Sequence, residues 1–130
     1  MADWYFYHSQ NTMGQTYHIS GESAVYSKLE NKKLCFGDRI WVIEGDLGQP
    51  VRFSLVDCFI YAENIHPPFS SPFYGFRIKY RGESLKPPEV RLNKSDSPWF
   101  SQLHSKYITK QRFFERIIDV EILDGLNASV

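Results

Sequence analysis

Apolar residues fill four consecutive positions, Ile40 to Ile43, inside the stretch GDRIWVIEGDLGQPVRFSLVDCF (Gly37 to Phe59). A hairpin lying on a surface would alternate apolar with polar residues and keep one wet face. Here a turn, DLGQP, joins two segments that are apolar on both faces, which predicts strands in a wall covered from both sides. In the second segment Phe53, Leu55, Phe59 and Tyr61 share one face, interrupted by Asp57, and Val56, Cys58, Ile60 and Ala62 share the other.

The same reading along the chain predicts the remaining elements. DWYFYHS (Asp3 to Ser9) is aromatic and β-prone, a first strand, and QNTMGQTYHISGES is a polar loop. SAVYSKLEN (Ser23 to Asn31) spaces Val25 and Leu29 four apart and predicts a short helix capped by Ser20 or Ser23. Ile65 to Gly75 is a loop with three prolines, after which FRIKYR alternates cleanly, with Phe76, Ile78 and Tyr80 on one face. EVRLN reads as a short strand, and SDSPWFSQL as a helix start with Asp96 or Ser97 capping and Pro98 in the first turn. TKQRFFERI places Phe113, Phe114, Ile117 and Ile118 on a helical stripe behind a capping Thr109. VEIL reads as a last strand, and DGLNASV as a frayed end or linker. The expected organisation is one domain over residues 1–124, with 125–130 a tail or a linker to a further domain. Five or six strands with two or three short helices, without full βαβ spacing, give an α+β class and a small barrel or strongly bent sheet.

Composition sharpens this picture in one respect. The 130 residues include three Trp, eight Tyr and ten Phe, rings that bring large buried area and flat faces suited to stacking. Cys35 and Cys58 sit in apolar runs without CxxC spacing and are expected to be buried, reduced thiols of a cytoplasmic protein. The four histidines lack ligand spacing, so neither a metal nor another cofactor is expected. No apolar run approaches about twenty residues, the length of a membrane span, and no signal-peptide pattern is visible.

Net charge is zero, but it is unevenly placed. Residues 1–76 carry five Lys/Arg against eight Asp/Glu, residues 77–116 ten against four, and residues 117–130 none against three. A basic block inside a neutral chain fits either a phosphate-facing side or an ordinary wet surface.

Catalytic motifs are sparse. The nucleophile elbow G-x-S-x-G, the phosphate loop G-x-x-x-x-G-K-[ST] and the zinc motif H-E-x-x-H are all missing from the sequence. Asp38, Glu44 and Asp46 surround the hairpin and are read as turn chemistry before metal ligands. His8 and Ser9, adjacent on a strand, point to opposite faces and cannot act as a pair. A binding module is the default expectation, not an enzyme.

Three stretches in order, DWYFYHSQNTMG, LCFGDRIWVIEGD and SPWFSQLHSKYITKQRFFERI, resemble the EVE branch of the PUA-like superfamily, which also includes YTH and ASCH domains. The resemblance implies a PUA-like β-barrel flanked by helices, with a pocket for one nucleobase flipped out of DNA or RNA. It implies a module that recognises a modified base, methylated or hydroxymethylated and more readily in DNA, of the kind found with modification-dependent restriction nucleases in defence. Its partner would be nucleic acid, with a fused or separate nuclease and no membrane. By match to the family's motifs, Ser9, Gln10 and Asn11 are the edge-reading candidates, and Glu44, Gly45 and Asp46 lie at the pocket wall. Trp41 belongs either to the wall or to the core, and Trp99 and Phe100 are the stacking candidates. Ser105 and Lys106 match the basic pair at the rim. Arg77, Lys79 and Arg81, on one face of the FRIKYR strand, form either a phosphate stripe or a wet face. Two rivals accompany this reading: an ASCH-like hydrolase or RNase using Lys106 with Glu44 or Asp46, and a protein-interaction domain whose contact is the proline-rich Ile65 to Pro88.

Overall fold

The computed structural model describes residues 1–129. The elements follow one another as β1 (Asp3–Ser9), α1 (Gln10–Met13), β2 (Ser23–Ser27), β3 (Arg39–Gly45), β4 (Phe53–Ile65), β5 (Ile78–Ser84), β6 (Val90–Leu92), α2 (Pro98–Lys106), β7 (Phe114–Arg116) and α3 (Val120–Ala128). Short 3-10 turns sit at Tyr17–Ser20 and Ile108–Lys110. The fold is α+β: one seven-stranded sheet in the order β2-β5-β4-β3-β1-β7, with β6 added on β4. All pairs are antiparallel except β1 with β3.

The sheet curls into a half-barrel. Phe114 of the end strand β7 packs edge-on against Trp4 and Phe6 of β1, and also meets Tyr80 of β5 with ring centroids 5.8 Å apart. The end strand β7 therefore touches β5, the second strand from the opposite end, through side chains. Among the described residues no backbone ladder joins β2 to β1 or β7, so a seam remains there.

Alternation along β1 and β3 explains the apolar run at Ile40 to Ile43. Trp4, Phe6, Ile40 and Val42 face the inside of the curl, where they join Val25, Phe59, Tyr61, Ile78 and Tyr80. Tyr5, Trp41 and Ile43 face outward into a second core, roofed by Phe100 and Leu103 of α2 and Ile122 and Leu126 of α3. Each face of the wall has its own core, and neither face can be polar.

The long strand β4 departs from simple alternation. Its pairing with β3 slips between Val42 and Ile43, so Val56 is an extra residue and side-chain parity changes there. Phe53 and Leu55 face the helices, whereas Val56, Phe59 and Tyr61 face the curl. The single face expected for Phe53, Leu55, Phe59 and Tyr61 is thus split by the bulge.

Three elements also differ from expectation. Ser23–Ser27 is a strand paired with β5, and Leu29, the supposed helical partner of Val25, is exposed. Residues 109–117 form no α-helix: the 3-10 turn ends at Lys110, Gln111 takes a left-handed backbone, φ 58°, and Phe114–Arg116 pairs with the free edge of β1. VEIL opens α3, in which Ile122 and Leu126, four apart, are fully buried. The folded unit consequently continues past residue 124, into the segment read as a tail.

Candidate functional site

The seam between β1 and β2 is a ring-rich opening. Phe6 and His8 line it from β1, Val25 and Tyr26 from β2, Tyr17 from the connecting 3-10 turn, and Phe73 from the loop after β4. Phe73 lies flat on Tyr26, ring centroids 3.8 Å apart and planes within 4°. Phe69 and Phe76 meet Tyr26 edge-on. The space left open is about 20 Å³, of the order of one water. Phe73 fills the slot.

The polar lining is held by buried groups. His8 Nε2 lies 2.9 Å from the carbonyl oxygen of Gln15 and 3.8 Å from Glu44 Oε2. Burial lowers the pKa of His8 from its ordinary 6.5, and the Gln15 carbonyl and Glu44 only partly oppose this. Glu44 accepts from the backbone N–H of Tyr17 at 2.6 Å. The Tyr17 hydroxyl donates to Asp57 Oδ2 at 2.7 Å and accepts from the Ala24 N–H. Burial, then the Asp57 charge, push the Tyr17 phenol far above its ordinary range.

Asp57 is the polar hub. The bulge turns it inward, and it accepts from the hydroxyls of Tyr17, Ser23 and Ser84 and from the Cys58 N–H, all at 2.6–2.8 Å. It forms the floor of a cavity of about 320 Å³ lined also by His18, Glu22, Lys86 and Glu89. Its four acceptor positions are filled from within the protein, so this carboxylate holds β2, β4 and β5 together.

Beside the slot runs a basic groove of about 550 Å³, lined by Lys28, His66 and Arg77, with Glu30 as its one acid. Lys28 Nζ lies 5.7 Å from the Phe76 ring centroid. Lys28 and Arg77 make no ion pair among the described residues, and flat rings next to such cations are the arrangement that stacks bases and holds phosphates.

The residues singled out from sequence are dispersed. Ser9 caps α1, its Oγ accepting from the Thr12 N–H at 3.3 Å. Gln10 and Asn11 line a different cavity, of about 330 Å³, with Leu47. Trp41 is wholly buried and donates to Asp3 Oδ1 at 3.0 Å, so it is core. Gly45 lies under the ring of Tyr7, where any side chain would collide. Asp46 binds the N–H groups of Arg52 and Gly48, which together with the Arg52 guanidinium lower its pKa to about 2. It is a turn residue.

Trp99 and Phe100 are on the helix side of the sheet. Phe100 is fully buried, and Trp99 packs between it and Gly125 of α3. Neither ring reaches the seam, because α2 roofs the outer core. Ser105 is exposed near Lys106, whose ammonium pairs with Asp119 at 2.8 Å. Of the expected stripe only Lys79 and Arg81 are on β5; Arg77 lies just before it, and of the three it alone is without an ion pair among the described residues. Lys79 pairs with Glu22, and Arg81 with Glu22 and Glu63. Burial works against the Lys79 charge, yet hydrogen bonds to Glu22 and Tyr26 leave its pKa raised. Lys106, Glu44 and Asp46, the trio of the hydrolase rival, have three separate sets of partners.

The slot residues that the sequence reading passed over are His8, Tyr17, Tyr26 and Phe73. One signal pointed to Phe73: with Phe69, Tyr74 and Phe76 it crowds a proline-rich loop, a place where rings have no core to fill by default.

No family model, curated protein or solved structure matches the chain. Among the described residues no three His, Cys, Asp or Glu side chains gather as a metal-ligand set, and no helix is long and apolar enough to cross a membrane. Cys58 is buried, its thiol pushed up to about 12 by burial, whereas Cys35, expected to be buried, is exposed.

Proposed function

We propose that this chain is a nucleic-acid-binding module that takes one extruded base into the seam slot, where the base replaces Phe73 on the face of Tyr26. The observation that carries the reading is the parallel Phe73–Tyr26 stack. Every other ring pair among the described residues is tilted or edge-on, as the ring quadrupole favours. At Tyr26 a flat face is presented to a flat partner, at the spacing a stacked heterocycle adopts. Taking a base out of a helix costs a few kcal/mol, and one ring stack returns about 1–3 kcal/mol. Lys28 and Arg77, in the groove alongside, supply phosphate contacts that weaken with salt.

The apolar slot wall of Phe6, Met13 and Val25 suits a base carrying a methyl or hydroxymethyl group, which adds about 1–3 kcal/mol of discrimination through fit. Gln15 and Ser20, which also line the slot, would meet the base edge. The module is a reader: recognition of a modified base in DNA, in the service of a nuclease carried elsewhere, is the role this chemistry serves.

The test is a binding panel of duplexes bearing methylated or hydroxymethylated cytosine or methylated adenine, beside an unmodified control. One modified duplex should bind more tightly than the control, and Tyr26→Ala should erase that preference, a loss of roughly tenfold to a hundredfold. Equal affinity across the panel, or a preference untouched by Tyr26→Ala, would overturn the reading.

A further inference from the structure

A second basic groove lies at the far end of β4, away from the seam. It has a volume of about 420 Å³ and is lined by Pro50, Arg52, Phe53, Arg91, Asn93 and Lys94, among others, with no acidic residue in its lining. Short β6 builds one bank: Arg91 stands opposite Ser54, and Leu92 opposite Phe53. Arg91 and Lys94 are exposed and make no ion pair among the described residues. Arg52 is tied through Nε to Asp46 at 2.7 Å, which fixes the guanidinium while its terminal nitrogens make no hydrogen bond among the described residues. The field of Lys94 reaches the neighbouring helix: burial first, then the Lys94 charge, lower the pKa of His104, whose ring packs 5.2 Å from Phe53. Cations are thus concentrated on a concave surface where only Arg52 is paired, through Asp46 at its inner edge, and Arg91 and Lys94 make no ion pair among the described residues.

We infer that this groove binds the phosphodiester backbone of the same nucleic acid whose base enters the seam slot, with Arg52, Arg91 and Lys94 as its phosphate contacts. The inference rests on the proposed function and relocates part of the phosphate-binding role. Lys79 and Arg81 of β5 are neutralised by Glu22 and Glu63, whereas Arg91 and Lys94 of this groove make no ion pair among the described residues. The thirteen residues of β4 separate Phe53, at this groove, from Ile65, beside the Lys28–Arg77 groove, by up to about 40 Å of strand. That is close to the roughly 34–36 Å of one duplex turn. A planar guanidinium held by a carboxylate at its inner edge presents a fork that matches phosphate oxygens.

The probe is an unmodified duplex of about 20 base pairs, titrated between about 50 and 200 mM salt. Arg91→Ala with Lys94→Ala should lower the salt slope by about two, so that wild type loses roughly tenfold more affinity than the variant over that range. Lys32→Ala with Lys33→Ala, an equal charge change on exposed residues outside both grooves, should leave the slope unchanged. Tyr26→Ala should keep the full slope while losing only the preference for a modified base. A slope unaltered in the Arg91/Lys94 variant, or one lowered as much in the Lys32/Lys33 variant, would overturn the inference. So would wild type binding anionic lipid vesicles but no duplex. Should the slot reading alone be wrong, Tyr26→Ala would change nothing while the Arg91/Lys94 variant still lost its slope.

Discussion

At the scale of single residues, Asp57 shows how one position sets both fold and site. Interrupting an apolar strand, it reads in sequence as a blemish. The bulge beside it turns it into a buried acceptor for three hydroxyls and one N–H from β2, β4, β5 and the turn before β2. Asp57→Ala would leave Tyr17, Ser23 and Ser84 without that acceptor, and the expected loss is about 3 kcal/mol or more in urea unfolding. His8 carries a pH signature. Its pKa is lowered by burial, so the folded state binds fewer protons than the unfolded chain as pH falls through the ordinary value near 6.5. Stability is full above that value and declines below it. The midpoint of thermal unfolding should fall between about pH 7 and about pH 5, and His8→Gln should flatten that decline. His104, lowered in the same direction, adds a smaller contribution from its more exposed position. Phe73→Ala should tighten binding to the preferred duplex several-fold, because the incoming base no longer displaces a ring.

At the scale of elements, legibility tracked how local the determining forces are. β1, β5 and α2 were readable because their patterns, an aromatic run, a clean alternation and a Pro-led helix start, depend on neighbours in sequence. β2 and β7 were not. Each is a short edge strand whose state is decided by the partner it pairs with, a force that outweighs helical spacing such as Val25 with Leu29. α3 went unrecognised because its apolar pair, Ile122 and Leu126, was divided between a supposed strand and a supposed tail. Leu126→Ala is expected to destabilise the domain by about 2–5 kcal/mol, and a chain ending at 124 to unfold at lower urea, both read by circular dichroism. The site fared worse than the fold. Rings and small polar groups line the seam, and the cations Lys28 and Arg77 lie in a separate groove. The named residues differ, because Trp41 and Phe100 were drawn into the two cores and Glu44 and Asp46 into holding loops. Of the phosphate set, Arg77 alone lies where the rings and free cations meet.

At the scale of the whole molecule, a half-barrel with an unlatched seam explains why so aromatic a chain leaves rings to spare. Two separate cores use up the rings of the wall, one inside the curl and one under α2 and α3. The seam then has no ladder to close it, and Tyr26 with Phe73 closes it by stacking. A closure made of two parallel rings is one that a third ring can enter. Basic grooves at both ends of β4 would hold the strand or duplex from which that ring comes. The most direct measurement places 2-aminopurine next to the preferred base in a duplex and follows its fluorescence on titration. Extrusion of the neighbouring base unstacks the probe. Wild type should brighten it in step with binding, and Tyr26→Ala should bind without brightening. Saturated binding by wild type with no change in fluorescence would contradict the account.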